Sequence, residues 1–553
     1  MKTWAVVLTA FATAMCTLLS SEPFGSGLAA IAAPALLIFI ACHATSTKQA
    51  VFWIFLFQVP LWLVLHSWVE VVAFAGWIGL SVYMSIWAPL FMLLLSRVQA
   101  KNSISIVITA PTIWVGLECL RGIIIFDGYP WYLAGTGIVD WPIVSIASVG
   151  SVWSASFLVV AIAGALVTAN RVGWWTWSSL GVVCSFFLYQ GLAIDKHTGA
   201  RFDVAVIQTN VPQSNKVAWD WESQLDDVSN AIAMTFKSVE EGIEKPSLII
   251  WPETMLPGSG FEVRPTDFAP WEDYFVPYWA WPKKIREITK ELGIPMLVGS
   301  QTHLLTEIID DGETLSPEFS SIYNSAVLVR PDGITERYDK VFLTPFGERI
   351  PYVHLFPFVQ DWIRDNFGAS MLFDLDYGGH PNRFTLQCNG VQEIGIEEIT
   401  FATPICFEDT VPRVVRELIW EDGNRRAGAL INLSNDGWFS SDDSARLQHI
   451  REARMRCIEN RTPMVRAANT GLSCFIDDRG KIRDVAVDSD GRLALQQSAI
   501  LHTRVFEGIG LPLSRFIGDW VAWLSLIGGI LLVMCASFKR SKENDTTDED
   551  SIT

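Results

Sequence analysis

The stretch Phe401-Ala-Thr-Pro-Ile-Cys-Phe-Glu-Asp409 places Cys406 at the end of an apolar run that is typical of a buried β-strand. Thr410 can cap a following helix, and Pro412 suits the first turn of that helix. A thiol at a helix N-terminus gains thiolate character from the helix dipole and from backbone N–H groups without helical partners. A cysteine at a strand end is more often structural, so this stretch alone leaves both interpretations open.

Two segments upstream carry the groups that a reactive cysteine needs. Ile249-Ile-Trp-Pro-Glu-Thr254 ends an apolar run with Glu253, and Tyr338-Asp-Lys-Val341 supplies Lys340. A carboxylate at the end of a buried strand is costly unless it is used or paired, and a raised pKa there suits a general base. Taken singly, the glutamate fits a strand-end cap equally well, and a lysine says little. Together with Cys406 they form a set that can make and break an acyl-thioester.

Strand-like runs alternate with helical patterns between residues 201 and 506, which predicts a layered α/β fold. The predicted strands are Phe202–Gln208, Ser247–Trp251, Pro295–Ser300, Ser325–Val329, Ile399–Cys406, Ala429–Asn432 and Met464–Ala467, and the predicted helices are Glu222–Val239, Lys283–Leu292, Val411–Glu421 and Ser444–Asn460. Two insertions rich in proline and aromatic residues, Leu256–Pro282 and Phe346–Phe373, interrupt this alternation. Each insertion fits either a lid or lipid contact, or a satellite hydrophobic cluster under a long loop.

The composition is that of a membrane protein with one soluble part. Mean hydropathy is +0.29, and the excess of apolar residues lies in the first two hundred residues and in one C-terminal segment. About eight apolar segments approach the length that crosses a bilayer, which predicts a multi-span α-helical membrane bundle. They lie near Trp4–Leu19, Leu28–Ala41, Val51–Leu65, Val71–Leu95, Ile104–Phe126, Ile143–Val167, Trp174–Leu192 and Phe516–Cys535. A cleaved signal peptide over Met1–Leu19 is an alternative for the first segment.

The predicted domains are a membrane domain at 1–195 with about seven transmembrane helices, a catalytic domain at 200–510, a final transmembrane helix at 515–537 and an acidic tail at 539–553. Basic residues near the ends of the predicted spans fall on one side: Lys48, Arg97, Lys101, Arg171, Lys539, Arg540 and Lys542. The loops on the opposite side, Ser20–Gly27, His66–Glu70 and Asp127–Pro142, contain neither lysine nor arginine. The positive-inside rule therefore predicts a cytoplasmic tail and an extracytoplasmic α/β domain.

Charge and cysteine spacing exclude several classes of function. A formal net charge of −18 and a pI near 4.9 exclude nucleic acid as a partner. Four of the nine cysteines lie outside the apolar segments, namely Cys388, Cys406, Cys457 and Cys474, and their spacing is not that of a metal site. A disulfide among them stays open at this point. We therefore expect no metal and no cofactor.

The three chemical segments resemble the motifs of the nitrilase-like carbon–nitrogen hydrolase superfamily, in the same Glu–Lys–Cys order. The segment Asn432-Leu-Ser-Asn-Asp-Gly-Trp438 is also similar to the superfamily segment that follows the cysteine. Within the superfamily the chain resembles the apolipoprotein N-acyltransferases over nearly its whole length. The segments that carry this narrower resemblance are Thr344–Pro351, Gln448–Arg456, Asn469–Gly471, Glu118–Arg121 and Gly128–Trp131.

The resemblance implies a nitrilase-like α-β-β-α sandwich joined to a membrane bundle in the bacterial inner (cytoplasmic) membrane, with the catalytic domain on the periplasmic side. It implies transfer of an acyl chain from a membrane phospholipid to a cysteine thioester, and then to the α-amine of the diacylglyceryl-cysteine of apolipoproteins. A membrane-anchored amidase that transfers its acyl group to water is the alternative. A third, non-enzymatic interpretation makes the bundle a transporter and the outer domain a binding module.

The resemblance also implies roles for individual residues. Glu253 corresponds to the general base, Lys340 to the group that stabilises the oxyanion, and Cys406 to the nucleophile. Glu348 matches an additional glutamate of the family, which is expected to orient the lysine or the thiol. Glu408 matches a further position near the nucleophile.

One position departs from the family pattern. Phe407 follows the nucleophile where the family often has tyrosine. The phenylalanine keeps the aromatic ring, and its backbone N–H can still help to stabilise an oxyanion. We therefore expect only a modest effect of the missing hydroxyl group.

Overall fold

The protein is described by a computed structural model over residues 1–99, 106–171, 173–192, 201–212, 220–242, 244–310, 312, 314–352, 358, 375–387, 398–439 and 442–550. The chain forms two compact units. The first unit consists of Met1–Ile194, Phe439–Glu459 and Pro512–Thr553, and the second consists of Asp195–Trp438 and Asn460–Leu511. The chain therefore leaves the second unit for one segment of the first and then returns.

The first unit is an α-helical membrane bundle. Its helices are Thr3–Ser20, Gly27–His43, Thr47–Leu65, Ser67–Val72, Phe74–Ser85, Trp87–Gln99, Ile106–Cys119, Ala147–Val167, Trp174–Leu192, Asp443–Asn460, Ser514–Ile517 and Trp520–Asp550. In the described part of the chain, six helical segments are long and apolar enough to cross a membrane: Thr3–Ser20, Thr47–Leu65, Phe74–Val98, Ile106–Asp127, Pro142–Val167 and Trp520–Phe538.

A helix occupies each of the eight predicted span positions, but two of these helices are not among the six. Gly27–His43 is apolar but has only 17 residues. Trp174–Leu192 has 19 residues and carries polar side chains between its aromatic ones. Length and composition therefore support six of the predicted spans directly.

The interior of the bundle is formed by apolar side chains, many of them small or branched. Ala10, Leu37, Ile54 and Ala110 are fully buried in one core cluster with Phe91. Large apolar side chains such as those of Leu8, Phe52 and Phe74 are exposed instead. An apolar exterior of this extent is unfavourable in water and favourable in contact with lipid tails.

The helix Asp443–Asn460 is polar, yet its side chains are largely buried within the first unit. Glu452 accepts hydrogen bonds from the backbone N–H of Tyr132 (3.1 Å) and from the Thr136 hydroxyl (3.0 Å). Arg451 forms an ion pair of 2.6 Å with Glu22. The buried charges of this helix are therefore paired with loops of the bundle, as buried charges require.

The second unit contains two six-stranded mixed sheets and a two-residue ladder. The strands are β1 (Arg201–Gln208), β2 (Leu248–Leu256), β3 (Met296–Asp310), β4 (Leu315–Val329), β5 (Thr335–Asp339), β6 (Arg383–Gln387), β7 (Glu398–Ala402), β8 (Trp420–Glu421), β9 (Asn424–Arg425), β10 (Ala429–Ser434), β11 (Met464–Ala468), β12 (Cys474–Ile476), β13 (Ile482–Val485) and β14 (Ala499–Phe506). The strand order is β14-β1-β2-β3-β4-β5 in the first sheet and β13-β12-β11-β10-β7-β6 in the second.

The two sheets pack face to face, because β2 of the first sheet contacts β10 and β11 of the second. Parallel pairing joins β1, β2 and β3, and also β7, β10 and β11, while the outer strands pair antiparallel. The helices Trp221–Glu241 and Val276–Leu292 bury their apolar faces against the first sheet. The short helix Pro412–Ile419 flanks the second sheet, and Arg383 of β6 donates to two of its carbonyls. The predicted α/β sandwich is confirmed.

The first aromatic insertion forms a satellite cluster. Phe268 and Phe275 are buried together with Val263, and they pack against residues of the long β3–β4 hairpin. Tyr274 is the exposed member of the group. Most of the second insertion, Phe346–Phe373, lies outside the described residues.

Stability of the first unit should depend on Glu452. In a Glu452→Gln variant the amide NH2 cannot accept the N–H of Tyr132 or the hydroxyl of Thr136 as the carboxylate does. We expect a loss of about 1–3 kcal/mol, measured as a lower thermal midpoint in detergent micelles.

The matched control is Glu417→Gln on the exposed face of Pro412–Ile419. Glu417 forms an exposed i,i+4 pair with Arg413 at 3.3 Å. This change should alter stability by less than about 0.5 kcal/mol. Equal midpoints for the two variants would contradict the structural role of the buried carboxylate.

Candidate active site

Glu253 sits on a bulge of β2, where the strand loosens its pairing with β3. Trp251 pairs with Val298 and Leu256 pairs with Ser300, so the residues between Trp251 and Leu256 arch over Gly299. A side chain at Gly299 would lie 2.2 Å from the Pro252 carbonyl oxygen, so only glycine fits beneath the arch. The bulge thereby turns the Glu253 carboxylate away from regular strand geometry.

Lys340 follows β5 directly and is almost completely buried, with 1% exposure. Its backbone N–H donates to the Asn324 carbonyl at 2.9 Å. Its Nζ atom lies 2.6 Å from Glu348 Oε2 and 4.0 Å from Glu253 Oε1. Burial on its own lowers the pKa of Lys340, but the nearby Glu348, Cys406 and Glu253 outweigh burial, and the net pKa is raised. The lysine is therefore a fixed cation.

Asn324 links the two carboxylates. Its Nδ2 atom donates to Glu253 Oε1 at 2.8 Å and to Glu348 Oε1 at 3.1 Å. The Thr344 N–H donates to Glu348 Oε2 at 2.8 Å. Burial on its own raises the pKa of Glu348, but Lys340 and these donors lower it below its usual value. Glu348 is therefore held as the anion that neutralises the lysine.

Cys406 occupies a strained turn that follows β7. Its φ angle is +50°, in the left-handed region that non-glycine residues rarely adopt. The turn continues as a 3₁₀ helix over Cys406–Thr410. The Asn432 side chain donates to the Pro404 carbonyl at 3.1 Å and to the Cys406 carbonyl at 3.4 Å. Left-handed strain in a non-glycine residue persists only where surrounding contacts fix it.

Glu408 holds the turn of Cys406 against the segment of Lys340. Its carboxylate accepts hydrogen bonds from the backbone N–H groups of Ile405, Val341 and Phe342 at 2.8–2.9 Å, and from the hydroxyl of Tyr338. Burial raises the pKa of Glu408 to about 7, against the lowering effects of the lysine and of these donors. Its position is that of a side chain that joins two segments.

Phe407 is buried, and its ring stacks on that of Phe342 with centroids 6.3 Å apart and an interplanar angle of 18°. Phe407, the residue that departs from the family pattern, therefore makes an apolar contact. A phenylalanine ring satisfies this contact without a hydroxyl group.

The thiol of Cys406 does not gain thiolate character, contrary to the sequence-based expectation. Burial raises its pKa well above the ordinary value, and Glu253 raises it further, while Lys340 lowers it. The helix Pro412–Ile419 begins six residues after Cys406, so its N-terminus does not carry the thiol. Burial and the Glu253 charge therefore both disfavour the thiolate at this position.

All six predicted site residues lie in the second unit, around the same strand ends. Glu253, Lys340 and Glu348 are joined by the contacts above, and the charges of these three groups act on the Cys406 thiol. Phe407 and Glu408 belong to the turn of that cysteine.

Sequence reasoning missed two polar residues of this site, Asn324 and Tyr338. A polar amide adjoining the strand-like run Ser325–Val329 is the signal that could have identified the first. Among the described residues no group of three or more histidine, cysteine, aspartate or glutamate side chains is placed to hold a metal ion. The eight described cysteines are free, and Cys388 lies outside the described residues.

Two family models match the sequence, one for each part of the fold. The model described as "Apolipoprotein N-acyltransferase N-terminal domain" matches residues 13–165, and the model described as "Carbon-nitrogen hydrolase" matches residues 203–500.

Curated relatives cover most of the chain. An apolipoprotein N-acyltransferase of Geobacter metallireducens is 31% identical over 82% of this chain and 78% of its own length. One of Methylococcus capsulatus is 27% identical over 94% of both chains. Among solved structures, an amidase from Nesterenkonia sp. aligns over 57% of this chain and 94% of its own, with 16% identity and a TM-score of 0.34.

The charges around the Cys406 thiol predict how its reactivity depends on pH. We expect alkylation of the wild-type thiol by iodoacetamide to have its midpoint above pH 9, because burial and Glu253 both disfavour the thiolate. A Glu253→Gln variant removes one negative charge, so its midpoint should move down. A Lys340→Met variant removes the positive charge, so its midpoint should move up.

The measurement is the alkylation rate of Cys406 between pH 6 and pH 11, read by peptide mass spectrometry of full-length protein in micelles. Shifts in the same direction for the two variants would contradict this electrostatic arrangement. Cys474 of β12 is buried and serves as an internal reference on the same digest.

Proposed function

Because this chain belongs to the apolipoprotein N-acyltransferase family, we propose that it transfers an acyl chain from a membrane phospholipid, through a thioester on Cys406, to apolipoproteins. The acceptor is the α-amine of the N-terminal diacylglyceryl-cysteine. The observation that carries the proposal is the buried Lys340 ammonium, which lies between two carboxylates and whose charge acts on the Cys406 thiol. This is the set of groups that acyl transfer through sulfur requires.

In the first half-reaction, Glu253 takes the proton of the Cys406 thiol, and the sulfur attacks the ester carbonyl of the phospholipid. The negative charge that develops on the carbonyl oxygen is stabilised by Lys340 and by the backbone N–H of Phe407. When the C–O bond breaks, Glu253 returns the proton to the leaving oxygen. The products are a lysophospholipid and a thioester of Cys406.

In the second half-reaction, the α-amine of the acceptor attacks the thioester carbonyl. Glu253 accepts a proton from the amine, and the same cation stabilises the second oxyanion. The C–S bond breaks, the sulfur recovers its proton, and an amide forms on the acceptor. Two successive half-reactions on one cysteine give ping-pong kinetics.

Glu348 acts in this scheme through the lysine. Its carboxylate is 2.6 Å from Lys340 Nζ and is itself held by Thr344 and Asn324. It fixes the ammonium where the oxyanion forms. Glu408 plays a comparable part for the backbone, since it joins the turn of Cys406 to the segment that carries Lys340.

Location follows from the distribution of basic residues along the sequence. Lysine and arginine near the span ends favour a catalytic domain on the periplasmic face of the inner membrane and a cytoplasmic acidic tail. A donor that exists only in the bilayer requires an enzyme that reaches the bilayer, and the apolar bundle provides membrane anchorage. An amidase that transfers the acyl group to water would use the same three groups, and the acceptor distinguishes the two activities.

The proposed reaction predicts a covalent intermediate on Cys406. In membranes supplied with an alkyne-tailed phospholipid, we expect label on this residue that hydroxylamine removes, since thioesters are cleaved by that nucleophile. Cys406→Ala should carry none, and Glu253→Gln should lose at least about 100-fold in labelling rate, since general base catalysis contributes at least that much. Cys457→Ala, which removes a buried cysteine of the first unit, is the matched control and should label normally.

Addition of a diacylglyceryl-cysteine peptide should discharge the label and add one amide-linked acyl chain to the peptide, measured by mass spectrometry. Release of free fatty acid without an acylated peptide would contradict the transferase and favour the amidase. Hydroxylamine-sensitive label on Cys406→Ala at the wild-type level would contradict the mechanism.

A further inference from the structure

Arg466 is a fully buried arginine in the middle of β11, and it binds two carboxylates at once. Its Nη1 atom lies 2.5 Å from Asp409 Oδ2, and its Nη2 atom lies 2.9 Å from both carboxylate oxygens of Asp436. The Nη2 atom also donates to the Ser434 hydroxyl at 3.2 Å. Arg466, Asp409 and Asp436 have no exposed surface in their side chains. Burial of these three charged side chains costs free energy, so their arrangement needs an explanation other than the charge pairing found at protein surfaces.

The two aspartates belong to the turns at the ends of two neighbouring parallel strands. Asp409 lies in the 3₁₀ turn Cys406–Thr410 that follows β7, and Asp436 begins the turn Asp436–Phe439 that follows β10. β10 pairs in parallel with β7 and with β11, which carries Arg466. One guanidinium from the third strand therefore ties together the turns of the other two.

Residues other than Arg466 also hold the Asp436 carboxylate in place. Gly471 has a φ of +103°, and a side chain there would lie 2.4 Å from Asp436 Oδ2. The Ser434 hydroxyl donates to Asp436 Oδ1 at 3.1 Å. The segments Asn432–Trp438 and Asn469–Gly471, for which the proposed chemistry has no direct use, thus surround one end of the network.

The other end of the network, at Asp409, holds the turn that contains Cys406. Cys406 keeps a left-handed backbone conformation, which a non-glycine residue retains only where its surroundings enforce it. The Glu408 side chain fixes the residue before Cys406, and Arg466 fixes Asp409 after it. Both flanks of the strained residue are thereby anchored to buried side chains.

We propose that Arg466 is a positioning residue for the acyl transfer: by binding Asp409 and Asp436 with one guanidinium, it holds the turn that presents the Cys406 sulfur. The role rests on the proposed use of Cys406 as the nucleophile. Arginine is required because its planar fork can bind two carboxylates in fixed directions, whereas a lysine ammonium is a point charge.

Two variants separate this positioning role from a through-space effect of charge on the thiol. The groups whose charges act on the Cys406 thiol are Glu253, Lys340, Glu348 and Asp436, and Asp436 raises the pKa of the thiol. Asp436→Asn removes that negative charge, so the midpoint of alkylation by iodoacetamide should move to lower pH. Arg466→Lys weakens the pairing of Asp436, so the negative charge of that carboxylate acts more strongly on the thiol and the midpoint should move to higher pH.

If the turn must be held, both variants lower kcat for transfer to a diacylglyceryl peptide, although the thiol shifts in opposite directions. We expect at least about a tenfold fall in kcat for each variant with KM nearly unchanged, since small displacements of a reacting atom have effects of this size. Should one variant not fold, the other still decides between the outcomes. The matched control is Arg330→Lys. Arg330 follows β4, and its side chain forms an ion pair with Glu336 and donates to the Thr385 carbonyl, outside the Arg466 network, so this change should leave kcat unchanged.

Three outcomes would overturn the proposal. The first is a kcat that rises for Asp436→Asn as its thiol becomes easier to ionise, which would show charge alone. The second is a lower thermal midpoint with wild-type kcat in both variants, which would show a purely structural network. The third is an equal fall in kcat for Arg330→Lys. Normal acyl transfer by Cys406→Ala would instead contradict the proposed function itself, so the two failures are distinguishable.

Discussion

A buried ammonium is the constraint on which the second unit depends. Lys340 has almost no contact with water, and a lysine in that position is stable as a cation only beside carboxylates. Glu348 at 2.6 Å and Glu253 at 4.0 Å meet this requirement. These three residues come from β2, from the end of β5 and from the segment that follows it, while Asn324 adjoins the β4 residues that pair with β5. The register of the first sheet is therefore fixed by electrostatics as well as by its apolar core.

The same arrangement explains why a thiolate is disfavoured at Cys406. The Glu253 carboxylate stabilises the Lys340 cation but destabilises a thiolate at Cys406. Burial of the thiol destabilises the thiolate further. Oxidation of cysteine follows thiolate character and exposure, so an environment that disfavours the thiolate also slows oxidation of Cys406.

Two of the segments that carry candidate site residues could be predicted from the sequence, because each contains a short apolar run that is typical of a buried strand. This pattern located Glu253 and Cys406, and the alternation of such runs with helical patterns gave the α/β character of the domain. Lys340 follows the polar stretch Arg337-Tyr-Asp339 and was identified by its resemblance to the family motif. The partners of these residues could not be predicted in the same way. Asn324 and Arg466 act through contacts with residues tens of positions away, and periodicity along one segment does not report such contacts.

Other features of the site could not be predicted from the sequence for a different reason. An isolated arginine in Met464-Val-Arg-Ala-Ala468 signals that buried carboxylates must face it, but not which ones. The left-handed backbone at Cys406 has no sequence signal, because non-glycine residues reach it only under tertiary constraint. The bulge at Glu253 does have a sequence signal, since Gly299 on the neighbouring strand is the residue that permits it.

The helix Asp443–Asn460 shows how composition can mislead about the partner of a segment. It joins β10 to β11 along the chain, and its many charges are typical of a crossover helix that faces water. In the structure its carboxylates serve the membrane unit, where Glu459 accepts hydrogen bonds from the Ser151 hydroxyl and the Val152 N–H at 2.8 and 2.7 Å. Ser151 has a φ of +60° and interrupts its helix, so the N–H group of Val152 has no regular helical partner. Buried backbone N–H groups must find hydrogen-bond partners within the protein, and the buried Glu459 carboxylate on the connecting helix is a direct way to supply one.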